Sequence, residues 1–280
     1  MTVNTFSNGN VNPFNLSYVT QPNSQMVTTK NNVFIPQIIE QTRTQIPLES
    51  EQIKALNLKD NLLAKFLPQN FIAKYLNDGF IQKQIQNNPK IKEIIAQKGL
   101  KTETHAQNIL NIINSHLIPT TNYAKLIMEK SGISFSMEDY SIMEQAGLLH
   151  DIGKIFIPPE ILNKKNNLSP KERAIIELHD TLGVELLKHT TLSPQILTLI
   201  GTHHNYGGYE DNSILTQILR IADVYSALKE TRAYKDPLTN DETFEILYKK
   251  AQQGEFDKKL VTVLKNALDE KLNTQKIVVA

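Results

Sequence analysis

The sequence predicts an all-α fold, on three observations. Apolar residues recur at helical spacing, helix starts are written out in capping residues, and alternating strand patterns are nearly absent. From about Ser50 the residues Ile53, Leu56, Leu62, Leu63, Phe66 and Leu67 follow near-helical spacing until Pro68 interrupts. Short amphipathic segments continue to Gly99, with Pro89 as a second break. Further on, Ser136 with Asp139 opens a helix, Ser169-Pro170-Lys171-Glu172 is a capping box with proline at the first helical position, and Ser193-Pro194 opens another.

Composition divides the chain. Residues 1–47 have no Lys or Arg before Lys30 and no acid before Glu40, and are filled with Asn, Thr, Ser, Gln and Pro. Such a stretch buries too little apolar surface to offset its ordering entropy, so a disordered N-terminal tail is expected. Val33-Phe34-Ile35 and Ile38-Ile39 would let it dock on a partner. Residues 48–98 read as a small helical lead-in, and residues 99–275 as the main helical domain. The chain is 40% hydrophobic, enough for a core, and its net charge of +1 demands neither long nucleic acid nor a membrane surface. With no cysteine, disulfides, thiolate nucleophiles and cysteine zinc sites are excluded. Neither a secretory signal nor an apolar span is evident, so a cytoplasmic protein is expected.

Chemistry is concentrated in histidines. Of seven in the chain, five fall at His105, His150, His179 and the pair His203-His204, accompanied by Asp151 and Asp223. Each shares a helical face with apolar residues: His105 with Ile109, Ile112 and Ile113; His150 with Ile142, Met143 and Ala146; His179 with Ile175, Leu182 and Leu186. His203 and His204 extend the face of Ile196 and Ile200, and Asp223 follows Leu215 and Leu219. All are therefore expected to point inward. Burying so many ionisable groups would cost several kcal/mol each, roughly, without compensation. Divalent cations supply it, and imidazoles with carboxylates suit Fe, Mn, Zn or related metals. His116 and His189 match no such pattern and are read as ordinary helix residues.

The run His150-Asp151-Ile152-Gly153-Lys154, followed by Ile157-Pro158 and Ile161-Leu162, resembles the HD superfamily of metal-dependent phosphohydrolases. It is most similar to the HD-GYP branch, whose members hydrolyse cyclic di-GMP. The resemblance runs from about Leu100 to Phe256 through Leu168–Glu172, His179 with Gly183 and Leu187, Arg220–Tyr225, Arg232–Lys235 and Gly254–Asp257. It implies an HD helical bundle and a binuclear-metal phosphodiesterase of bacterial signalling. It also implies two divalent ions, Fe or Mn first among them, held by His105, His150, Asp151, His179, His203, His204 and Asp223, with Asp151 as the bridge. Lys154 would sit beside the bridging hydroxide and the scissile phosphate, making Asp151 and Lys154 the catalytic pair. Arg232 and Lys235 would join Lys154 in holding substrate phosphates.

Three departures from the family pattern bear on function. Its signature loop reads His-His-Glu, then Asp-Gly, then Gly-Tyr-Pro, whereas this chain has the shorter His203-His204-Asn205-Tyr206-Gly207-Gly208-Tyr209-Glu210. That loop shapes the substrate pocket and meets partner proteins, so substrate and partner choice are both affected. Lys101, a helical turn before His105, stands where three-metal members carry glutamate, which argues against a third ion. Ser226 replaces a second aspartate, with little expected consequence for metal binding. The sequence leaves two alternatives open: an HD-type hydrolase of another nucleotide, and an inactive scaffold that binds cyclic di-GMP or a signalling protein. Nothing in it excludes an oligomer.

Overall fold

The computed structural model describes residues 68–204, 211–230 and 237–279, with side chains described as far as residue 270. The chain divides into two units, Met1–Leu56 and Asn57–Ala280, and all described residues lie in the second. The expected tail, and the lead-in before residue 68, fall outside them.

Among the described residues there is no strand, as expected of an all-α chain. Residues 68–75 are helical, followed by α1 (Asp78–Asn87) and α2 (Pro89–Gln97). Asn77 caps α1 by accepting from the Phe80 amide at 3.2 Å, and Asn88 caps α2, with Pro89 at its start. The Asn88 side chain also donates to the Glu185 carbonyl at 2.9 Å and to the Glu185 carboxylate at 2.7 Å. This anchors the lead-in on a later helix. Ile72, Ile81, Ile91 and Ile95 belong to the same buried core as Leu149, Leu186, Leu219 and Leu264.

The chain then forms α3 (Gln107–Leu110), a π-helical turn (Ile113–Leu117), α4 (Ile118–Lys130) and α5 (Met137–Leu149). In the π turn the Ile118 amide donates to the Ile113 carbonyl, one residue beyond the α-helical partner. The extra residue rotates the helix face, a device common at functional sites. Gly132, at φ 73°, turns the chain out of α4, and Ser136 with Asp139 closes the expected capping box on α5.

After α5 comes a 3-10 turn (Ile152–Phe156), then α6 (Pro159–Leu162), α7 (Pro170–Ile176), α8 (His179–Leu187) and α9 (Pro194–Thr202). The capping box at Ser169 and Glu172 and the Ser193 cap are both present. The bundle is completed by α10 (Ile214–Lys229), α11 (Asn240–Gln252) and α12 (Lys258–Val279). Helix α4 is central, packing on α5, α10 and α12, while α8 packs on α9, the 3-10 turn, α1 and α2.

Two close approaches fix this arrangement. A methyl group on Gly147 of α5 would lie 2.6 Å from the Thr121 hydroxyl of α4. One on Gly153 would fall on the His179 carbonyl oxygen and 2.6 Å from the Gly183 nitrogen. The turn carrying Asp151 and Lys154 therefore lies directly against the start of α8. Backbone atoms cannot yield as a side chain would, so Gly153→Ala is expected to destabilise the metal-free protein by about 3 kcal/mol, the upper end for overpacking. Urea unfolding checks this, and a loss below about 0.5 kcal/mol, the scale of a neutral surface change, would contradict it.

Candidate metal centre

Three helix ends present their histidines in the same way. The last carbonyls of an α-helix have no partner within it, and here imidazoles take them up. His150 donates from Nδ1 to the Gly147 carbonyl at 2.8 Å in the last turn of α5. His203 does so to the Ile200 carbonyl of α9 at 2.7 Å, and His179 to the Ile176 carbonyl that ends α7, also at 2.7 Å. A carbonyl can only accept, so each Nδ1 carries the proton. Nε2 is then the ring position turned toward the other donors. His116 is held from its other side, with Nδ1 3.1 Å from the Ser226 hydroxyl, which in turn donates to the His116 carbonyl at 3.3 Å.

The Nε2 atoms so oriented meet in two pairs. His179 and His203 bring theirs to 3.2 Å, and His116 and His150 to 3.4 Å. In neutral rings these are lone pairs, which do not face each other at such distances without a cation or a proton between them. Asp151 lies between the pairs: its Oδ1 is 3.3 Å from His179 Nε2, and its Oδ2 is 3.5 Å from both His116 and His150 Nε2. Asp223 also faces both sides, with Oδ1 3.0 Å from His116 Nε2 and Oδ2 3.6 Å from His204 Nε2. The donor atoms form overlapping groups that fit a metal ion: His116, His150 and Asp223; His150, Asp151 and His203; His179, Asp180, His203 and His204.

Burial makes these groups demanding. His150, Asp151 and Asp180 are wholly buried, yet Oδ1 of Asp151 and both carboxylate oxygens of Asp180 accept no hydrogen bond. Unpaired buried anions are costly, and imidazoles and carboxylates without thiolate are the donors of Fe, Mn and Zn sites. The residues therefore fit divalent metal. Lys154 adds a fixed positive charge, its Nζ 2.7 Å from Asp151 Oδ2.

The titration behaviour carries the same signature. Burial opposes ionisation of Asp151, yet Lys154 and His150 hold its carboxyl well below the usual range. Asp223 is depressed likewise, against burial, by the imidazoles of His116 and His150 beside it. Burial pulls His179 down, but Asp180 and Asp151 outweigh it and raise the ring to about 9. Burial pushes His203 well below its ordinary value and His204 to about 4. Ionised carboxylates thus demand positive charge at neutral pH, while two rings refuse to supply it as protons.

Of the residues expected from sequence, the structure brings together His150, Asp151, Lys154, His179, His203, His204 and Asp223. His105 is not in any of these groups. It precedes α3, its amide donating to the Ile155 carbonyl, so the helical-face argument made for it does not apply. His116 occupies the site instead, presented by the π turn, which corrects its reading as an ordinary helix residue. The Lys101 argument falls with His105: Lys101 is 84% exposed and paired with Glu103 at 3.8 Å, too far out to add charge to the site. Ser226 has more consequence than expected, because it orients His116. Asp180, absent from the residues expected from sequence, carries the same facing signal, since Gly183, Val184 and Leu187 share its face. Arg232, Lys235 and the loop Asn205–Glu210 lie outside the described residues.

A nest of buried imidazoles and carboxylates on an all-α scaffold defines a metal-binding helical domain. A family model described as an HD domain matches residues 92–260, and the chain belongs to that family, as its HD-GYP-like motifs implied. Among curated proteins it is 33% identical over 190 residues to the 3'3'-cGAMP-specific phosphodiesterase 2 of Vibrio cholerae, covering 60% of this chain and 36% of that protein. It is 33% identical over 156 residues to the cyclic di-GMP phosphodiesterase response regulator RpfG of Xanthomonas campestris pv. campestris, covering 51% and 40%. To the cyclic di-GMP phosphodiesterase PdeB of Borreliella burgdorferi it is 31% identical over 166 residues, covering 55% and 43%. The matched regions span less than half the length of each of these relatives. No helix among the described residues is long and apolar enough to cross a membrane.

The exchange of His105 for His116 is directly testable. His116→Ala is expected to lower the metal content of the purified protein by about one ion per chain, and His105→Ala to leave it unchanged. Elemental analysis of both variants decides, and the reverse pattern would restore His105 to the site.

Proposed function

We propose that the chain is a binuclear-metal phosphodiesterase that hydrolyses a cyclic dinucleotide, with cyclic di-GMP as the substrate. The observation that carries this reading is the facing of two Nε2 pairs across Asp151. Ions held there, Fe or Mn in this reading, would have His116, His150 and Asp223 on one side, His179, His203 and His204 on the other, and Asp151 shared between them. When bound they supply acidified water and neutralise charge on the phosphoryl oxygens.

The chain's own groups do the rest. The hydrogen-bonded Nδ1 atoms fix the imidazoles in one tautomer, so the donor set needs no reorganisation as the reaction proceeds. Lys154 and His204 are the more accessible members, with side chains 19% and 24% exposed, and substrate approaches from their side. There the Lys154 ammonium holds Asp151 ionised and offers a positive charge to the phosphate. Arg232 and Lys235 are proposed as further phosphate contacts. The reading takes the cytoplasm as the compartment, in keeping with a cysteine-free chain.

A second reading, 3'3'-cGAMP as substrate, is favoured by the similarity to a relative named for that specificity. The test is protein purified without oxygen, loaded with Fe or Mn and offered cyclic di-GMP, 3'3'-cGAMP and mononucleotides. Loss of cyclic di-GMP is expected, whereas cleavage of mononucleotides alone would overturn the substrate. Asp151→Ala should lose both metal and hydrolysis while far-UV circular dichroism stays near wild type. Lys154→Ala should keep its metal and slow by about a hundredfold, the scale of removing one transition-state donor. Metal loss from Lys154→Ala would contradict a role confined to phosphate.

A further inference from the structure

Asp180 has no part in the ligand set that the family resemblance implies, yet it is wholly buried beside His179 with both carboxylate oxygens lacking a hydrogen-bond donor. Its Oδ1 lies 2.9 Å from His179 Nε2 and 3.6 Å from His203 Nε2, the two ring atoms that face each other at 3.2 Å. Both rings spend their Nδ1 protons on backbone carbonyls, so it is their Nε2 atoms that face Asp180. The guanidinium of Arg220 acts on it through space while Nε and Nη2 donate to the Thr202 carbonyl at 2.9 and 2.7 Å. Buried carboxylates are ordinarily paired or bound to metal, and Asp180 lies within one such donor group with His179, His203 and His204.

We propose that Asp180 is a direct ligand of the ion held by His179, His203 and His204, which makes the two halves of the centre chemically unequal. This rests on the metal reading above. With Asp151, that half has three imidazoles and two carboxylates, against two imidazoles and two carboxylates around His116 and His150. Five protein donors exceed the tetrahedral complement of zinc and suit a six-coordinate Fe or Mn ion. They also leave little of that ion's coordination to an incoming phosphate. The ion of the His116 and His150 half, with fewer protein donors, therefore keeps more of its coordination for other ligands.

Asp180→Asn keeps shape and removes charge. In the metal-loaded protein, one ion should weaken by more than about a hundredfold in chelator competition, beyond the loss caused by removing an outer partner of a ligand, and manganese retained after dialysis should fall from about two per chain to about one. Asp180→Glu should retain more manganese than Asp180→Asn. An Asp180→Asn protein that keeps both ions at wild-type affinity would overturn the assignment. So would an Asp180→Glu protein that retains no more manganese than Asp180→Asn. Wild-type protein that binds no metal would instead remove the reading on which the assignment rests.

Discussion

The hydrogen bonds from histidine Nδ1 to the carbonyls of Gly147, Ile176 and Ile200 govern the whole centre. Each satisfies a carbonyl that a terminating helix would otherwise leave without a partner, and each fixes which ring nitrogen remains available. One bond therefore both finishes a helix and prepares a ligand. Its net worth to stability is about 1 kcal/mol, but it determines where Nε2 points. Once three helix ends are brought into register, their Nε2 atoms are turned into one shared space.

That register is a matter of close packing. Gly153 lets the turn after α5 lie on the first residues of α8, and Gly147 lets α5 approach α4. Asp151 and His179 are thereby held on opposite sides of a narrow contact, and Asp223 enters from α10. The resulting cluster is intrinsically unfavourable as a set of protein groups alone, with ionised carboxylates, rings driven in opposite directions and unpaired oxygens. Such a conflict marks a site shaped for something other than stability.

Most of the fold and much of the site could be read before any coordinates. The capping residues Ser136, Ser169 and Ser193 stand where helices begin, and His150, His203 and Asp223 point inward as their apolar neighbours implied. What failed did so for local reasons. The face test assumes a continuous α-helix, whereas the chain around His105 is not yet helical and the π turn around His116 shifts the face by a residue. His116 follows Ile109 and Ile113 at offsets of seven and three, a facing signal that the π turn between them blurs. Asp180 is legible from the apolar face it shares with Val184 and Leu187. The outer role of Ser226 depends on α10 meeting the π turn, a tertiary fact without a local signature.

The central claim is that these helix-end histidines were oriented to hold cations rather than to share protons. Anomalous diffraction from crystals of the manganese-loaded chain tests it most directly. The account predicts two peaks, one against Nε2 of His116 and His150 and one against Nε2 of His179 and His203, with an Asp151 oxygen on each. A map without peaks there, in protein shown to be folded, would mean that protons suffice and that the nest is not a metal centre.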